Sequence, residues 1–152
     1  MIPPSLCNAS MIQWIQTVHN FLSGTIVDCL GLGVHQKNLS VVTFAENQLE
    51  TRNGSDWGFI NSLTNCSSLL LFDVGVNRLR GELPNSVGNL STSLQYFVTN
   101  YNSITGKIPE GIGNLVNLKF IEMNNNLFEG PIPDSFGRLK KLNRLYLSNN
   151  NL

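Results

Sequence analysis

Charged residues are scarce in this 152-residue chain: Asp, Glu, Lys and Arg make up 13% of it, and ten acids balance ten bases. No nucleic-acid partner is expected, because phosphate backbones are bound by clustered Lys and Arg. Long hydrophobic runs are also lacking. The longest is the four-residue stretch 69–72, so we expect no membrane insertion by this chain. The first ten residues have neither the basic start nor the apolar stretch of a secretory signal.

Cysteines are few, and they are far apart. Cys7, Cys29 and Cys66 are separated by 22 and 37 residues, with no C-x-x-C pair. This spacing supports neither a zinc site nor a redox motif, and we expect no metal or cofactor. The odd number leaves at least one free thiol. We interpret all three as small, buried packing residues.

Asparagine, in contrast, is abundant, with 21 residues. Six of them recur at intervals of 24 to 30 residues and are here called the ladder asparagines: Asn20, Asn47, Asn77, Asn102, Asn126 and Asn150. Eight, five and three positions before each one, the residue is apolar in sixteen of eighteen cases, and the exceptions are Thr17 and Thr99. A period of this length predicts a solenoid of stacked coils.

Each part of the repeat has a physical interpretation. The apolar positions five and three before the asparagine have period two, so both point to one face of a short strand. The asparagine amide carries donors and acceptors that can satisfy backbone groups at the bend after the strand. Gly and Pro follow in a G-x-I/L-P step that turns the chain.

We divide the chain into one solenoid, 1–152, with a partial repeat at 1–11 and a truncated repeat at 142–152. Complete repeats are expected at about 12–38, 39–68, 69–93, 94–117 and 118–141. The repeat 39–68 departs from the pattern, because its residues 50–66 contain no G-x-I-P. These residues predict one short helix near 56–64. Both ends fall inside a repeat, so we expect a slice of solenoid without terminal caps.

The repeat resembles the plant-type leucine-rich repeat, L-x-x-L-x-x-L-x-L-x-x-N-x-L-x-G-x-I-P. Two stretches, SDWGFINSLTNCSSL and LPNSVGNLSTSLQYF, are similar to the ectodomains of plant receptor kinases, the rice-type immune receptors in particular. The resemblance implies an α/β solenoid: a curved right-handed coil with a parallel β-sheet on the concave face and short 3-10 or α segments on the convex side.

The resemblance also implies a function. Such ectodomains recognise peptides or proteins as immune or developmental signals on the extracellular side of the plasma membrane, where a co-receptor kinase is a further partner. The parent family carries a Ser/Thr kinase domain that this chain does not contain, so we expect no enzyme. Two alternatives remain open: a soluble inhibitor of a cell-wall-degrading enzyme, and a non-functional product of a truncated receptor gene.

Strand residues between the buried positions are expected to face the concave surface. From them and from the position before each ladder asparagine we select candidate ligand contacts: Trp14, Asp73, Tyr96, Tyr101, Phe120, Glu122, Arg144 and Tyr146. Exposed aromatic residues supply large contact areas in protein recognition. The alternative is that they only pack on neighbouring coils and shield the sheet.

Two further patterns are weaker. Asp73 and Glu122 share a column two coils apart, but an open sheet offers no enclosed pocket, so we assign no catalytic residue. Five N-x-S sequons, at Asn8, Asn38, Asn53, Asn65 and Asn89, are candidate glycosylation sites.

Overall fold

The computed structural model describes residues 1–32, 38–52 and 54–152. Their strands form three parallel sheets, ordered β1-β3-β5-β7-β9-β11, β2-β4 and β6-β8-β10. The six-stranded sheet, here called the main sheet, has one strand per coil and lies on the concave face of the solenoid, as the sequence predicts. The elements in chain order are β1 Trp14–Gln16, β2 Ser23–Gly24, β3 Val41–Thr43, β4 Gln48–Leu49, α1 Gly58–Leu63, β5 Leu71–Asp73, β6 Arg80–Glu82, β7 Tyr96–Val98, β8 Ser103–Lys107, β9 Phe120–Glu122, β10 Leu127–Glu129 and β11 Arg144–Tyr146.

The core lies between the main sheet and the convex side. The middle residue of each inner strand points into it, and the residues at β3, β5, β7 and β9 are fully buried: Val42, Phe72, Phe97 and Ile121. Phe72 and Phe97 stack with ring centroids 5.6 Å apart, so adjacent coils share one continuous core. Parallel coils stabilise one another in this way because no coil buries its apolar edge alone.

The ladder asparagines connect consecutive coils. The Nδ2 of Asn102 donates to the carbonyl oxygens of Thr99 and Asn100 in its own coil and to that of Val74 in the coil before. Its Oδ1 accepts the backbone N–H of Leu79 at 2.9 Å. The same four-bond arrangement recurs at Asn47, Asn77, Asn126 and Asn150. These bonds satisfy backbone groups where the strands end.

A second ladder, which the sequence analysis did not predict, lies on the flank of the solenoid. The segments that lead into each G-x-I/L-P step pair in parallel as β6, β8 and β10, here called the flank sheet. Of these strands, β6 and β8 include the glycine of the step, and none includes the proline. Gly and Pro are rare in strands, so the G-x-I/L-P pattern predicts only a turn. The glycines of these segments have φ near +80°, which only glycine adopts readily. The prolines then begin the 3-10 turns Asn85–Asn89, Glu110–Asn114 and Asp134–Arg138.

In the repeat 39–68, which has no G-x-I/L-P, side chains make the hydrogen bonds that a flank strand would make. A 3-10 turn, Gly54–Trp57, leads into α1, which lies inside the predicted range and buries Phe59, Ile60 and Leu63. Where the regular repeat would add a strand beside β6, the indole N–H of Trp57 donates to the carbonyl of Arg80 at 3.0 Å. The hydroxyl of Thr51 accepts the N–H of Arg80 at 2.6 Å. The edge of the flank sheet is thereby satisfied without a strand.

The interpretation of all three cysteines as unpaired packing residues is wrong. Cys7 and Cys29 form a disulfide with their Cα atoms 5.7 Å apart, and it ties the 3-10 turn Pro4–Asn8 to the segment after β2. Their separation of 22 residues matches no motif, so the pairing depends on how the coils stack. Cys66 is a free, buried thiol, as one of the three had to be.

Candidate recognition surface on the concave sheet

The main sheet presents two columns of side chains on the face opposite to the core. Strand register aligns the first column as Trp14, Val41, Leu71, Tyr96, Phe120 and Arg144. It aligns the second as Gln16, Thr43, Asp73, Val98, Glu122 and Tyr146. Side chains alternate along a strand, so residues that flank a buried middle position must both face away from the core.

Three aromatic residues on this face are in contact and are here called the aromatic cluster: Tyr96, Phe120 and Tyr146. The ring centroids of Tyr96 and Phe120 are 6.3 Å apart, and those of Phe120 and Tyr146 are 5.6 Å apart at an angle of 68°. Tyr96 and Tyr146 remain 42% and 48% exposed. The rings therefore pack on neighbouring coils and also offer apolar area to solvent.

Two candidates in the first column lie outside the aromatic cluster. Trp14 is 66% exposed, and Val41 and Leu71 separate it from Tyr96 along the column. Arg144 pairs in register with Phe120 and is exposed, so it places a cation at the C-terminal end of the aromatic column.

The carboxylates of the second column are held by hydrogen bonds. Asp73 accepts the backbone N–H of Gly75 at 2.9 Å and the hydroxyl of Thr43 at 3.4 Å. Glu122 accepts the side-chain amide of Asn100 at 2.9 Å. Burial raises the pKa of Asp73 above its usual range, against these hydrogen bonds and with a smaller contribution from Glu46.

Tyr101 belongs to a column with a different backbone. The residue before every ladder asparagine has φ between +48° and +58°, the left-handed region that non-glycine residues seldom adopt. In every such residue except Asn149, the backbone N–H donates to the next coil; that of Tyr101 donates to the carbonyl of Asn124 at 3.0 Å. Sequence reasoning missed this conformation. The available signal was Asn125 and Asn149, since Asn tolerates it better than most residues.

The surface is open. Asp73 and Glu122 have Val98 between them in register, and both are half-buried. Within residues 1–32, 38–52 and 54–152, no three His, Cys, Asp or Glu side chains are grouped so as to hold a metal ion. Nor does this described part contain a helix long and apolar enough to cross a membrane.

The candidate glycosylation sites lie away from the main sheet. Asn8, Asn38, Asn65 and Asn89 are all exposed, and none is in a strand. Asn65 follows α1, and Asn89 ends a 3-10 turn on the same side of the solenoid. Asn53 lies outside the described residues.

Solved structures that are similar to this chain include plant receptors. The chain superposes on the Arabidopsis receptor kinase HAESA, solved with the peptide hormone IDA and the co-receptor SERK1, with a TM-score of 0.85 and 30% identity. The match covers 98% of this chain and 23% of that one. The structure of PEPR1 with AtPEP1 gives a TM-score of 0.75 and 27% identity, over 98% and 23% of the two chains.

Sequence comparisons agree with this. The family model described as Leucine Rich Repeat matches residues 93–115 and 117–139. Receptor kinase-like protein Xa21 of Oryza sativa subsp. japonica is 52% identical over 60 residues, which is 40% of this chain and 6% of that protein. The receptor-like kinase EFR of Arabidopsis thaliana is 45% identical over 58 residues, or 38% and 6%. The matched segment is thus a small part of each relative.

Together these findings define the class as a leucine-rich-repeat solenoid. Within that class, the chain is similar to parts of the ectodomains of plant leucine-rich-repeat receptor kinases. Its structural counterparts also include the ectodomain of the receptor kinase SOBIR1 from Arabidopsis thaliana.

Proposed function

We propose that this chain is a ligand-recognition segment of a receptor ectodomain and that it binds a peptide or protein on its concave face. The observation that carries the proposal is the aromatic cluster, whose three rings are in contact across three coils and yet remain accessible. Such rings give large contact area with few rotatable bonds, which makes aromatic residues frequent binding hot spots.

Two relatives support a peptide as the ligand. HAESA and PEPR1, to which the chain is similar over nearly its whole length, were solved with IDA and AtPEP1 bound. An extended peptide suits a surface built of short parallel strands, because its side chains can contact one coil after another. The HAESA complex also contains SERK1, which supports a co-receptor as a further partner of the complete receptor.

An extracellular location is part of the proposal. The Cys7–Cys29 disulfide is typical of an oxidising compartment. Sugars on Asn8, Asn38, Asn65 and Asn89 would lie off the main sheet and leave the concave face free. We therefore assign these four exposed asparagines as glycosylation sites, and we keep Asn53 as a candidate from its sequon alone.

The test is selection from a phage library of random dodecapeptides on the immobilised 152-residue chain. We expect enriched peptides to bind the wild type and to lose about tenfold or more in affinity for the Tyr96→Ala/Phe120→Ala variant. The matched control is Phe21→Ala. It removes an aromatic side chain that is 87% exposed but lies outside the main sheet.

The control decides the outcome. Equal affinities of the wild type and Phe21→Ala, with loss only in the double variant, support recognition at the aromatic cluster. Equal loss in both variants, or peptides insensitive to both, would remove the concave face as the binding site. Thermal melts of all three proteins verify that they are folded.

A further inference from the structure

Two carboxylates of the concave face, those of Asp73 and Glu122, have no cationic partner in the described part of the chain. Among the described residues, neither Asp73 nor Glu122 makes an ion pair, and their hydrogen bonds come from neutral groups. Glu46, which precedes the second ladder asparagine, adds a third negative charge, and its carboxylate is bonded to His19 at 2.7 Å. The basic side chain in the two columns is Arg144, at the far end.

This imbalance is local. The chain as a whole has as many acids as bases, so the acidic character of the concave face is not a consequence of composition. Buried or half-buried carboxylates are normally paired with a cation, because the charge loses hydration. Burial acts on the Asp73 carboxylate in this way, and it raises the pKa of that group.

The carboxylates lie beside the aromatic cluster. Glu122 pairs in register with Tyr146 and is two residues from Phe120 on the same face of β9. Asp73 and Glu122 are two strands apart, or about 10 Å between Cα atoms, with Val98 between them. A cation above Val98 would be about 5 Å along the column from each, and its carbon stem could lie on the rings.

We propose that the ligand of this surface is a peptide with a basic residue, Arg in particular, whose guanidinium is bound above Val98 between Asp73 and Glu122. The inference depends on the proposed function, because it names the chemistry of the ligand that the aromatic cluster binds. The planar guanidinium donates to carboxylates in pairs and also stacks on aromatic rings, whereas an ammonium does only part of this. Arg144 on β11 repels a guanidinium, so we expect the basic residue to bind over β5, β7 and β9.

The experiment is a double-mutant cycle on a peptide from the dodecapeptide selection that contains Arg and depends on Tyr96 and Phe120. The peptide and its Arg→Gln form are titrated against the wild type and the Asp73→Asn/Glu122→Gln variant at two salt concentrations. We expect the wild type to prefer the Arg peptide by about tenfold, less at high salt, and the variant to show no preference. The control is Glu82→Gln/Glu129→Gln, which removes two exposed carboxylates from the flank sheet.

Each outcome has a separate meaning. A preference for Arg that survives in Asp73→Asn/Glu122→Gln, or that is lost equally in the flank control, overturns the basic-residue inference. Selected peptides that depend on Tyr96 and Phe120 but contain no basic residue also overturn it, while the proposed function stands. Selection that yields no peptide dependent on the aromatic cluster overturns the proposed function itself.

Discussion

Asn126 and Ile104 are joined across adjacent coils, because the backbone N–H of Ile104 donates to the side-chain oxygen of Asn126 at 3.0 Å. The Nδ2 of the same asparagine donates to the carbonyls of Thr99, Met123 and Asn124. One buried side chain thus satisfies four backbone groups from two coils. Such a group lies after each strand of the main sheet except β1, and the position of the residues on those strands depends on it.

Replacing Asn126 with Ala should therefore be among the most damaging single changes. It leaves buried backbone groups without partners, and we expect a loss of about 3 kcal/mol or more in the free energy of unfolding. Asn20→Ala is the matched comparison, because Asn20 is exposed and, within the described ranges, donates only to the carbonyls of Thr17 and Val18. Urea titration should show a clearly smaller loss for Asn20→Ala; similar losses would contradict this account.

Thr99 differs from Asn126, because it is a buried polar residue whose side chain satisfies no backbone group of the described residues. It is fully buried at a position where most other coils have an apolar residue, and its hydroxyl has no hydrogen-bond partner among the described residues. Thr99→Val should raise the free energy of unfolding by about 1 kcal/mol, since an unpaired buried hydroxyl is costly. Thr43→Val should lower it, because the hydroxyl of Thr43 donates to Asp73. A stabilisation of both variants would refute the distinction.

The fold was predictable because residues of the same type recur at the same structural position in successive coils. Phe72 and Phe97 repeat at one core position, and the structure stacks them. The two columns of the concave face follow from the same spacing, since residues that flank a buried strand position face outward. The contact between Phe120 and Tyr146 does not follow from this spacing. Phe120 belongs to the first column and Tyr146 to the second, yet their rings are in contact.

Features that depend on stacking were not predictable from one repeat. The flank sheet forms from segments that lead into the Gly- and Pro-containing turns, and they become strands by pairing with the neighbouring coil. The left-handed backbone at Val76 is stabilised by its own N–H, which donates to the carbonyl of Asn100 in the next coil, against the preference of a β-branched residue. The Cys7–Cys29 disulfide is a further case, because the stacking of the coils brings the two cysteines together and their sequence spacing does not indicate the pair.

The disulfide can be tested by counting thiols. The pKa of Cys66 is raised to about 11 because the thiol is buried, so it should not react with a thiol reagent in the native protein at neutral pH. We expect no reactive thiol in the native state, one after denaturation, and three after denaturation with reduction. Cys7→Ala/Cys29→Ala should lower the free energy of unfolding by about 3 kcal/mol, given the 22-residue separation. Three thiols in the unreduced, denatured protein would refute the pairing.

Asp73 should make stability depend on pH in a defined direction. Burial raises the pKa of Asp73 in the folded protein, so the folded state holds its proton more tightly than the unfolded state, where the pKa is about 3.9. The stability that this group contributes is fully present below the unfolded pKa and is lost as pH rises through the folded pKa.

The Asp73→Asn variant lacks this titration. Its free energy of unfolding should therefore rise relative to that of the wild type as pH increases from about 3 to 7. Chemical unfolding of both proteins at several pH values measures the difference. A constant difference would mean that the Asp73 carboxylate titrates alike in both states. A difference of the opposite sign would mean that the hydrogen bonds from Gly75 and Thr43 outweigh burial.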